Sequence, residues 1–283
     1  SFLTQFAYYP VLGIGLFVVT LTLLAWLILW AFRLPAHLSP LALLPSILIV
    51  FYVTGWDYSV FAMRQYGNLF SPIVGLTCVA ALTGLYQRIR TLWLRIVWMV
   101  LVIVVGYPLF GMYALLAAVT SLLVDVLILK QFSWVLTAVM IVLMFFVPYI
   151  EVQNFFHRFN THFLLLAAFP YEEFTHDKSQ VYPLYSALAV LLLLPLLQML
   201  FRTWKERSAY ITTAVLAVLL MAGVYMNANK DPNLHALFAV EHAYEMGEDE
   251  KVLDLCTQVE HPIRSLILYR NIELFKRGQL LDR

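Results

Sequence analysis

Two arginines, an acid and a tryptophan in this sequence have side chains suited to binding a charged substrate. Asp57 lies in "GWDYS", where Trp56 and Tyr58 flank it at the end of an apolar run. A carboxylate in that position could act as a general base toward a hydroxyl group. Arg64 and Arg158 could hold a phosphate through paired N–H donors. The alternative interpretation is that the two aromatic residues anchor the membrane interface and Asp57 is a solvated cap.

A second polar group lies in the stretch 151–181, which also contains three histidines. Glu172 and Glu173 are adjacent, so they point in different directions on a helix or a strand and form no carboxylate pair. Glu172 is therefore a candidate for a single general base. His157 and His162 are five residues apart, whereas helical metal ligands are usually three or four apart. We expect no metal site, and His157 is a candidate substrate-binding residue.

The chain that must position these groups is too apolar for a soluble domain. Hydrophobic residues make up 62% and charged residues only 12%, about half the usual charged fraction. This composition predicts a membrane protein with several spans. A net charge of +1 with no basic run argues against nucleic-acid binding. Cys78 and Cys256 form neither a disulfide framework nor a zinc site, and we expect no cofactor.

Apolar runs of about 17 to 22 residues can cross about 30 Å of hydrocarbon as helices. The sequence predicts eight such spans, at 11–32, 40–56, 69–87, 92–108, 110–129, 132–150, 182–201 and 209–226. The turn "GYPLFG" separates the fourth span from the fifth. Pro45 and Pro195 lie inside spans, where we expect them to bend the helix.

Basic residues predict the orientation of these spans, because cytoplasmic loops are enriched in Lys and Arg. One set of connections and span ends carries eight basic residues and the opposite set carries three. The eight are Arg33, Arg88, Arg90, Arg95, Lys130, Arg202, Lys205 and Arg207, and the three are Arg64, Arg158 and Lys178. Ser1 and everything after Asn227 are therefore expected outside, and parity predicts a further span before Ser1.

Two apolar segments contain features that a simple span does not. Asp125 lies inside the fifth span, and intramembrane acids are candidates for function. Because Lys130 follows five residues later, we favour an acid near the cytoplasmic interface. The segment 159–169, "FNTHFLLLAAF", is too short to cross a bilayer and predicts an interfacial helix. Such a helix beside polar groups could form a surface site for a lipid-linked substrate.

The segment after Asn227 is charged and has the pattern of three short amphipathic helices. We expect helices from Pro232 to Gly247, from near Asp249, and from Pro262 to Gly278. The residues expected to face inward are Leu234, Leu237, Phe238, Tyr244, Val252, Leu253, Cys256, Ile263, Leu266, Ile267, Ile272 and Phe275. The two glycines are 31 residues apart, so the segment resembles tetratricopeptide repeats, whose period is 34. We expect more repeats after Arg283.

The start of the chain, "SFLTQFAYYPVLGIGL", together with the span order and the tail, is similar to an uncharacterised Bacteroidota membrane-protein family. That family is described as a domain of unknown function. The resemblance implies a span ahead of "FLTQFAYYP" and a location in the inner membrane. It implies no activity and no catalytic residues.

The fold expected is all-α, with a polytopic transmembrane bundle at 1–227 and a periplasmic helical-hairpin region at 228–283. One hypothesis is a glycosyltransferase that uses a polyprenyl-phosphate-linked sugar, with Asp57 as the acid and Arg158 or Arg64 on the phosphate. The alternative is a non-catalytic scaffold that docks an envelope protein on its repeats. A transporter or flippase ranks third, because the spans lack charged pairs and repeated broken helices. Expected partners are membrane lipids and, by hypothesis, a polyprenyl-linked substrate or an envelope protein.

Overall fold

In the computed structural model, residues 10–55, 70–154, 181–201, 206–228 and 230–279 are described, and their regular secondary structure is helical. The helices of the apolar part are α1 (Pro10–Phe32), α2 (Pro40–Thr54), α3 (Ser71–Tyr86), α4 (Leu92–Val104), α5 (Gly106–Phe110), α6 (Met112–Val124), α7 (Trp134–Asn154), α8 (Tyr182–Leu200) and α9 (Glu206–Asn227). A 3₁₀ turn, Ala36–Leu38, precedes α2, and a π-helical turn, Asp125–Leu129, follows α6. The tail contains α10 (Pro232–Glu245), α11 (Asp249–Thr257) and α12 (Arg264–Lys276).

All eight predicted spans correspond to helices, but only some of these helices are long enough to cross a membrane. Six helical segments in the described ranges are long and apolar enough to cross a membrane. The exceptions are α3, with 16 residues, and α4, with 13 residues. At about 1.5 Å per residue, α4 covers about 20 Å, less than the hydrocarbon core. The helix α4 ends at Val104, and Val105 separates it from the short helix α5. The count of eight spans is therefore not confirmed.

The prolines within the apolar helices occupy the positions that their chemistry favours. Pro40 and Pro72 lie in the first turns of α2 and α3, where no backbone N–H is needed. Pro45 and Pro195 lie inside α2 and α8, as the sequence predicted, and both are buried. A third internal proline, Pro148, lies in α7. Their missing N–H groups leave carbonyls that neighbouring helices must accommodate.

The apolar helices pack around two hydrophobic cores. The first is formed by α1, α2, α3, α6 and α8, with Leu24, Ile49 and Leu76 among its fully buried residues. The second lies between α4, α6 and α7, with Ile103 and Leu136 fully buried. Because α6 contributes to both cores, it joins the two parts of the bundle.

Contacts between helix ends give the direction of the helices. The ring of Trp30, near the end of α1, packs against Gly84, near the end of α3. At the other end of the bundle, the Asn227 side chain donates a hydrogen bond of 2.6 Å to the Phe51 carbonyl. The ends of α1 and α3 therefore lie at one end of the bundle, and the ends of α2 and α9 lie at the other. We call the basic end the one that carries Arg33, Arg88, Arg90, Arg95 and Lys130.

The outward surface of this bundle is apolar, which a water-soluble protein would not tolerate. Phe145 and Val11 are 64% and 87% exposed, and many other large apolar side chains on the long helices are exposed as well. Contiguous apolar surface of this extent indicates contact with lipid. Trp93 and Trp134, at the starts of α4 and α7, are also exposed at the basic end. Tryptophan is enriched at the membrane–water boundary.

Residues Ala228–Arg283 form a separate compact unit, as do residues Ser1–Asn227. The Asp231 side chain caps α10 by accepting a hydrogen bond of 2.9 Å from the Asn233 amide. Gly247 and Gly278 follow α10 and α12 with φ angles of +71° and +70°, which glycine adopts without strain. The three tail helices expected from the sequence are thus confirmed, while their assignment to tetratricopeptide repeats is not.

The prediction of which face α12 buries was partly wrong. Leu266 is fully buried, but Phe275 is 72% exposed and Ile267 is exposed too. In place of Phe275, the helix buries the charged residue Glu273. These two residues are two positions apart and lie on opposite sides of a helix. The apolar pattern marked two stripes on α12, and the neighbouring helices cover only one of them.

Candidate functional site

The six residues proposed from the sequence lie outside the described residues. They are Asp57, Glu172, Arg64, Arg158, Trp56 and His157. The segment 159–169, expected to be an interfacial helix, lies outside them as well. Their assignment as catalytic or substrate-binding residues stays a prediction.

The described part of the bundle contains a different polar cluster, formed by Tyr86, Arg95 and Asp125. Tyr86 is the last residue of α3, Arg95 lies in the first turn of α4, and Asp125 begins the π-helical turn after α6. All three residues are buried, and Asp125 is only 1% exposed. Because α4 and α6 run in opposite directions, the start of one lies beside the end of the other. This arrangement brings residues 30 positions apart into contact.

Both oxygens of the Asp125 carboxylate accept a hydrogen bond. Arg95 donates to Oδ1 over 3.1 Å, and the Tyr86 hydroxyl donates to Oδ2. The Arg95 Nε also donates to the Ile89 carbonyl over 2.9 Å, and its guanidinium lies 5.6 Å from the centre of the Tyr86 ring. A buried charge pair is tolerated only when its remaining donors and acceptors are satisfied in this way. The cluster therefore holds three chain segments together and leaves no carboxylate oxygen open to a substrate.

This cluster corrects one expectation. The spans were expected to contain no charged pair, yet Arg95 and Asp125 form one between α4 and the end of α6. Asp125 is enclosed by protein at the basic end, and its closeness to the cytoplasmic interface stays a prediction. The sequence did contain a signal. Arg95 lies near the start of one predicted span and Asp125 near the end of the next, so both belong to the same end of an antiparallel pair.

The π-helical turn connects this cluster to a cleft. Lys130 ends the turn in the left-handed conformation, with φ +52°, and its N–H donates to the Asp125 carbonyl. π-Helical turns often occur at functional positions. Beside this turn is a cleft of about 580 Å³. It is lined by Pro35, Leu38, Leu127, Ile128, Lys130, Gln198 and Met199. The cleft therefore lies at the basic end, where the ends of α1, α6 and α8 meet.

A further cation at this end is Arg88. Its guanidinium carbon lies 3.6 Å from the centre of the Trp30 ring, and it also donates to the Gly84 carbonyl. Such stacking over an indole is a favourable cation–π geometry. Gly84 has no side chain, which allows the Trp30 ring to approach the backbone of α3. The described residues contain no group of three or more His, Cys, Asp or Glu side chains that could hold a metal ion.

The tail has its own polar cluster around Glu273. The buried Glu273 accepts a hydrogen bond of 2.5 Å from the Lys276 ammonium, which also lies 3.6 Å from Asp249 and 4.6 Å from the centre of the Tyr244 ring. The hydrogen bond to Glu273 raises the pKa of Lys276. Burial raises the pKa of the Cys256 thiol, which is 4% exposed. Lys276 thus links all three tail helices, and Cys256 is an inert core residue.

A comparison with protein families decides the membership of the chain. The model of a family of unknown function, DUF6057, matches residues 1–283. The chain belongs to the DUF6057 family. No curated protein and no solved structure matches it. The expectation of an uncharacterised family covering the whole chain is confirmed, while the bacterial group and the repeat resemblance are not shown by this match.

The site of this DUF6057 protein that sequence reasoning missed is therefore the basic end of the bundle. The sequence identifies Lys130 as a loop charge and as a neighbour of Asp125, and it gives no signal for Gln198. Neither residue belongs to a motif, and 68 positions separate them in the chain. The helix packing alone brings them to one cleft.

Proposed function

We propose that this protein is a membrane-embedded docking scaffold whose tail helices bind an amphipathic helix of a partner protein. Its apolar helices are compatible with a membrane protein, as expected for the part that anchors it. The observation that carries the proposal is an apolar stripe on α12, formed by Leu268, Ile272 and Phe275. Leu268 and Phe275 are 59% and 72% exposed, although the tail unit has a core of its own.

The spacing of the stripe suits a helical partner. Residues four and seven positions apart lie on one face of a helix, so the three side chains form a continuous ridge. Burying one leucine or phenylalanine side chain stabilises a complex by about 1.5–3 kcal/mol. Helical hairpins commonly bind partners, or further hairpins, through such faces. Under this proposal the tail is periplasmic and the membrane is a bacterial inner membrane, in agreement with the positive-inside pattern.

The test uses a photoreactive phenylalanine at Phe275 in the full chain, expressed in its own membrane. We expect one protein adduct of defined mass, lost when Leu268→Ser is added. Met246→Ser is the matched control, because Met246 is an exposed apolar residue at the turn after α10. A synthetic peptide of the cross-linked segment should then bind the purified full chain and fold as a helix. Adducts with lipid alone would show that α12 contacts a membrane surface, and the docking proposal would be wrong.

Glycosyl transfer from a polyprenyl-phosphate-linked sugar is the competing proposal from the sequence. It requires Asp57 as the acid, with Arg64 or Arg158 on the lipid phosphate, and its support is the predicted position of these residues on the exterior side. The two proposals make opposite predictions. If Asp57→Asn abolishes an envelope glycan while Leu268→Ser has no effect, the enzyme hypothesis is favoured. If Leu268→Ser produces the defect and Asp57→Asn does not, the scaffold is favoured.

A further inference from the structure

The cleft at the basic end has the dimensions and lining of a ligand site. Its volume of about 580 Å³ falls within the usual range for small-molecule sites. Five of its seven lining residues are apolar, and the other two are Lys130 and Gln198. An apolar wall with one cation and one amide matches a ligand that has a hydrocarbon part and a charged, hydrogen-bonding head.

Lys130 provides the charge. Its ammonium has no carboxylate within 4.0 Å among the residues that the structure describes, in contrast to Arg95, which is paired with Asp125. The left-handed conformation of Lys130, at φ +52°, is uncommon for a residue with a side chain. The π-helical turn imposes this conformation and leaves Lys130 at the rim of the cleft. An anionic group beside it would supply the missing partner.

Gln198 provides an unused acceptor. Its Oε1 atom is closed to solvent and has no hydrogen-bond donor within reach among the described residues, while another part of the side chain lines the cleft. Buried amide oxygens are normally hydrogen-bonded, so the unpartnered Oε1 loses no hydrogen bond if the Gln198 side chain turns toward a ligand donor in the cleft. An O–H group satisfies this need, whereas a quaternary ammonium headgroup does not.

The level of the cleft relative to the membrane follows from two tryptophans. Trp134, four residues after Lys130, is 78% exposed at the start of α7, and Trp93 is 75% exposed at the start of α4. Exposed tryptophans at helix ends mark the headgroup region. Because Trp134 follows Lys130 closely in the chain, we expect Lys130 at the level of the headgroups.

We propose that this cleft binds an anionic phospholipid with a hydroxylated headgroup, of the phosphatidylglycerol type. The phosphate contacts Lys130, and the first part of an acyl chain packs against Leu38, Leu127 and Met199. The Gln198 side chain turns into the cleft, where its Oε1 accepts a hydrogen bond from a headgroup hydroxyl. Basic pockets between membrane helices on the cytoplasmic side bind anionic headgroups in this manner. The site is independent of the docking surface on the tail.

Native mass spectrometry of the delipidated full chain in detergent tests this proposal. With an equal mixture of phosphatidylglycerol and phosphatidylcholine of the same acyl chains, we expect one bound lipid, with about fivefold preference for the anionic one. Lys130→Gln should abolish that preference. Arg90→Gln is the matched control. It removes an exposed charge at the basic end outside the cleft, so the preference for the anionic lipid should be unchanged.

The hydroxyl is tested with phosphatidylmethanol, an anionic phosphodiester that has no hydroxyl on its headgroup. The parent protein should prefer phosphatidylglycerol to phosphatidylmethanol, and Gln198→Leu should bind both equally. Glycerol phosphate should not displace the lipid, because it lacks the chain.

Thermal unfolding of each variant in detergent shows whether it is folded. Lys130→Asn is the second variant, since asparagine tolerates the left-handed conformation better. Equal binding of both lipids by the parent, or an unchanged preference in folded Lys130→Gln and Lys130→Asn, would mean annular lipid only and would overturn the proposal. Displacement by glycerol phosphate at concentrations comparable to the lipid would overturn it as well.

Discussion

Arg95 and Asp125 form an ion pair of 3.1 Å in which both side chains are almost completely buried. The pair joins the start of α4 to the turn that ends α6, two segments that share no other charged contact within the described residues. Tyr86 adds the end of α3 through its hydrogen bond to the second carboxylate oxygen. Three helix ends are therefore locked at one end of the bundle, next to the cleft.

Breaking this pair should destabilise the transmembrane bundle strongly. Arg95→Met leaves the Asp125 charge buried without its cation, and the loss of one partner of a buried pair costs about 3–5 kcal/mol. Asp125→Asn keeps the acceptor for Tyr86 but leaves the guanidinium unpaired, so we expect a loss of similar size. The measurement is thermal unfolding of the full chain in detergent.

The double variant Arg95→Met/Asp125→Leu provides the internal check. Replacing both charges with apolar side chains removes the unpaired charge, so this variant should be more stable than either single one. Arg90→Gln, at an exposed position, should change stability by no more than about 0.5 kcal/mol. Additive losses in the double variant would show that the two residues act separately.

A second prediction concerns the contact between α1 and α3. A Cβ atom on Gly84 would collide with the Trp30 ring and lie 3.0 Å from the Ala31 Cα. Gly84→Ala should therefore force the helices apart and cost about 1–3 kcal/mol of stability. Gly15→Ala is the matched control in α1, because nothing lies within 4 Å of its Cβ. Equal melting temperatures for the two variants would contradict this account of α1–α3 packing.

The helices of this protein could be predicted from the sequence because their signals are local. Apolar runs mark the helices of the bundle, and Asp231, Gly247 and Gly278 mark the ends of tail helices at positions the structure confirms. The pairing of Asp125 with Arg95 could not be predicted from such local signals. A pair between two helices depends on which ends meet, and the composition of one run does not contain that information.

The tail shows a different limit of the sequence. A stripe of apolar residues on α12 predicts that one face is buried, but α12 has apolar residues on more than one face. Leu266 and Phe275 both fit a helical apolar pattern, and only Leu266 is covered by α10 and α11. Glu273 is buried with Lys276 as the charge partner of its Oε1, a compensation that hydrophobicity does not indicate. The candidate site at Asp57 stays a prediction, since it lies outside the described residues.

A third prediction concerns the Lys276 contact in the tail. Lys276→Met keeps the apolar stem but leaves the buried Glu273 carboxylate without a cation, so the tail should open more often. Cys256 reports this opening, because its thiol is buried and Cys78→Ala removes the other cysteine of the chain. We expect faster labelling of Cys256 by maleimide in the variant. Lys251→Met is the control, since its pair with Glu248 is exposed and adds little stability.

The pH dependence of this effect follows from the direction of the pKa shift. The pKa of Lys276 is raised, chiefly by the hydrogen bond to Glu273, so its stabilisation is fully present below the ordinary lysine pKa of about 10.4. It is lost only as the pH rises through the raised pKa. The ratio of labelling rates between Lys276→Met and the parent should therefore be the same at pH 7 and pH 9. A ratio that falls to one at pH 9 would show that the ammonium is not what holds Glu273.

The last prediction separates the core of the tail from its exposed stripe. Leu266 is fully buried, and Leu266→Ala should destabilise the tail by about 2–5 kcal/mol. Phe275→Ser removes a larger side chain, yet the 72% exposure of Phe275 predicts almost no loss. In the same thiol assay, Leu266→Ala should label Cys256 much faster, and Phe275→Ser should label it at the parent rate. If Phe275→Ser also opens the tail, Phe275 belongs to the core, and the stripe on α12 is not free to bind a partner.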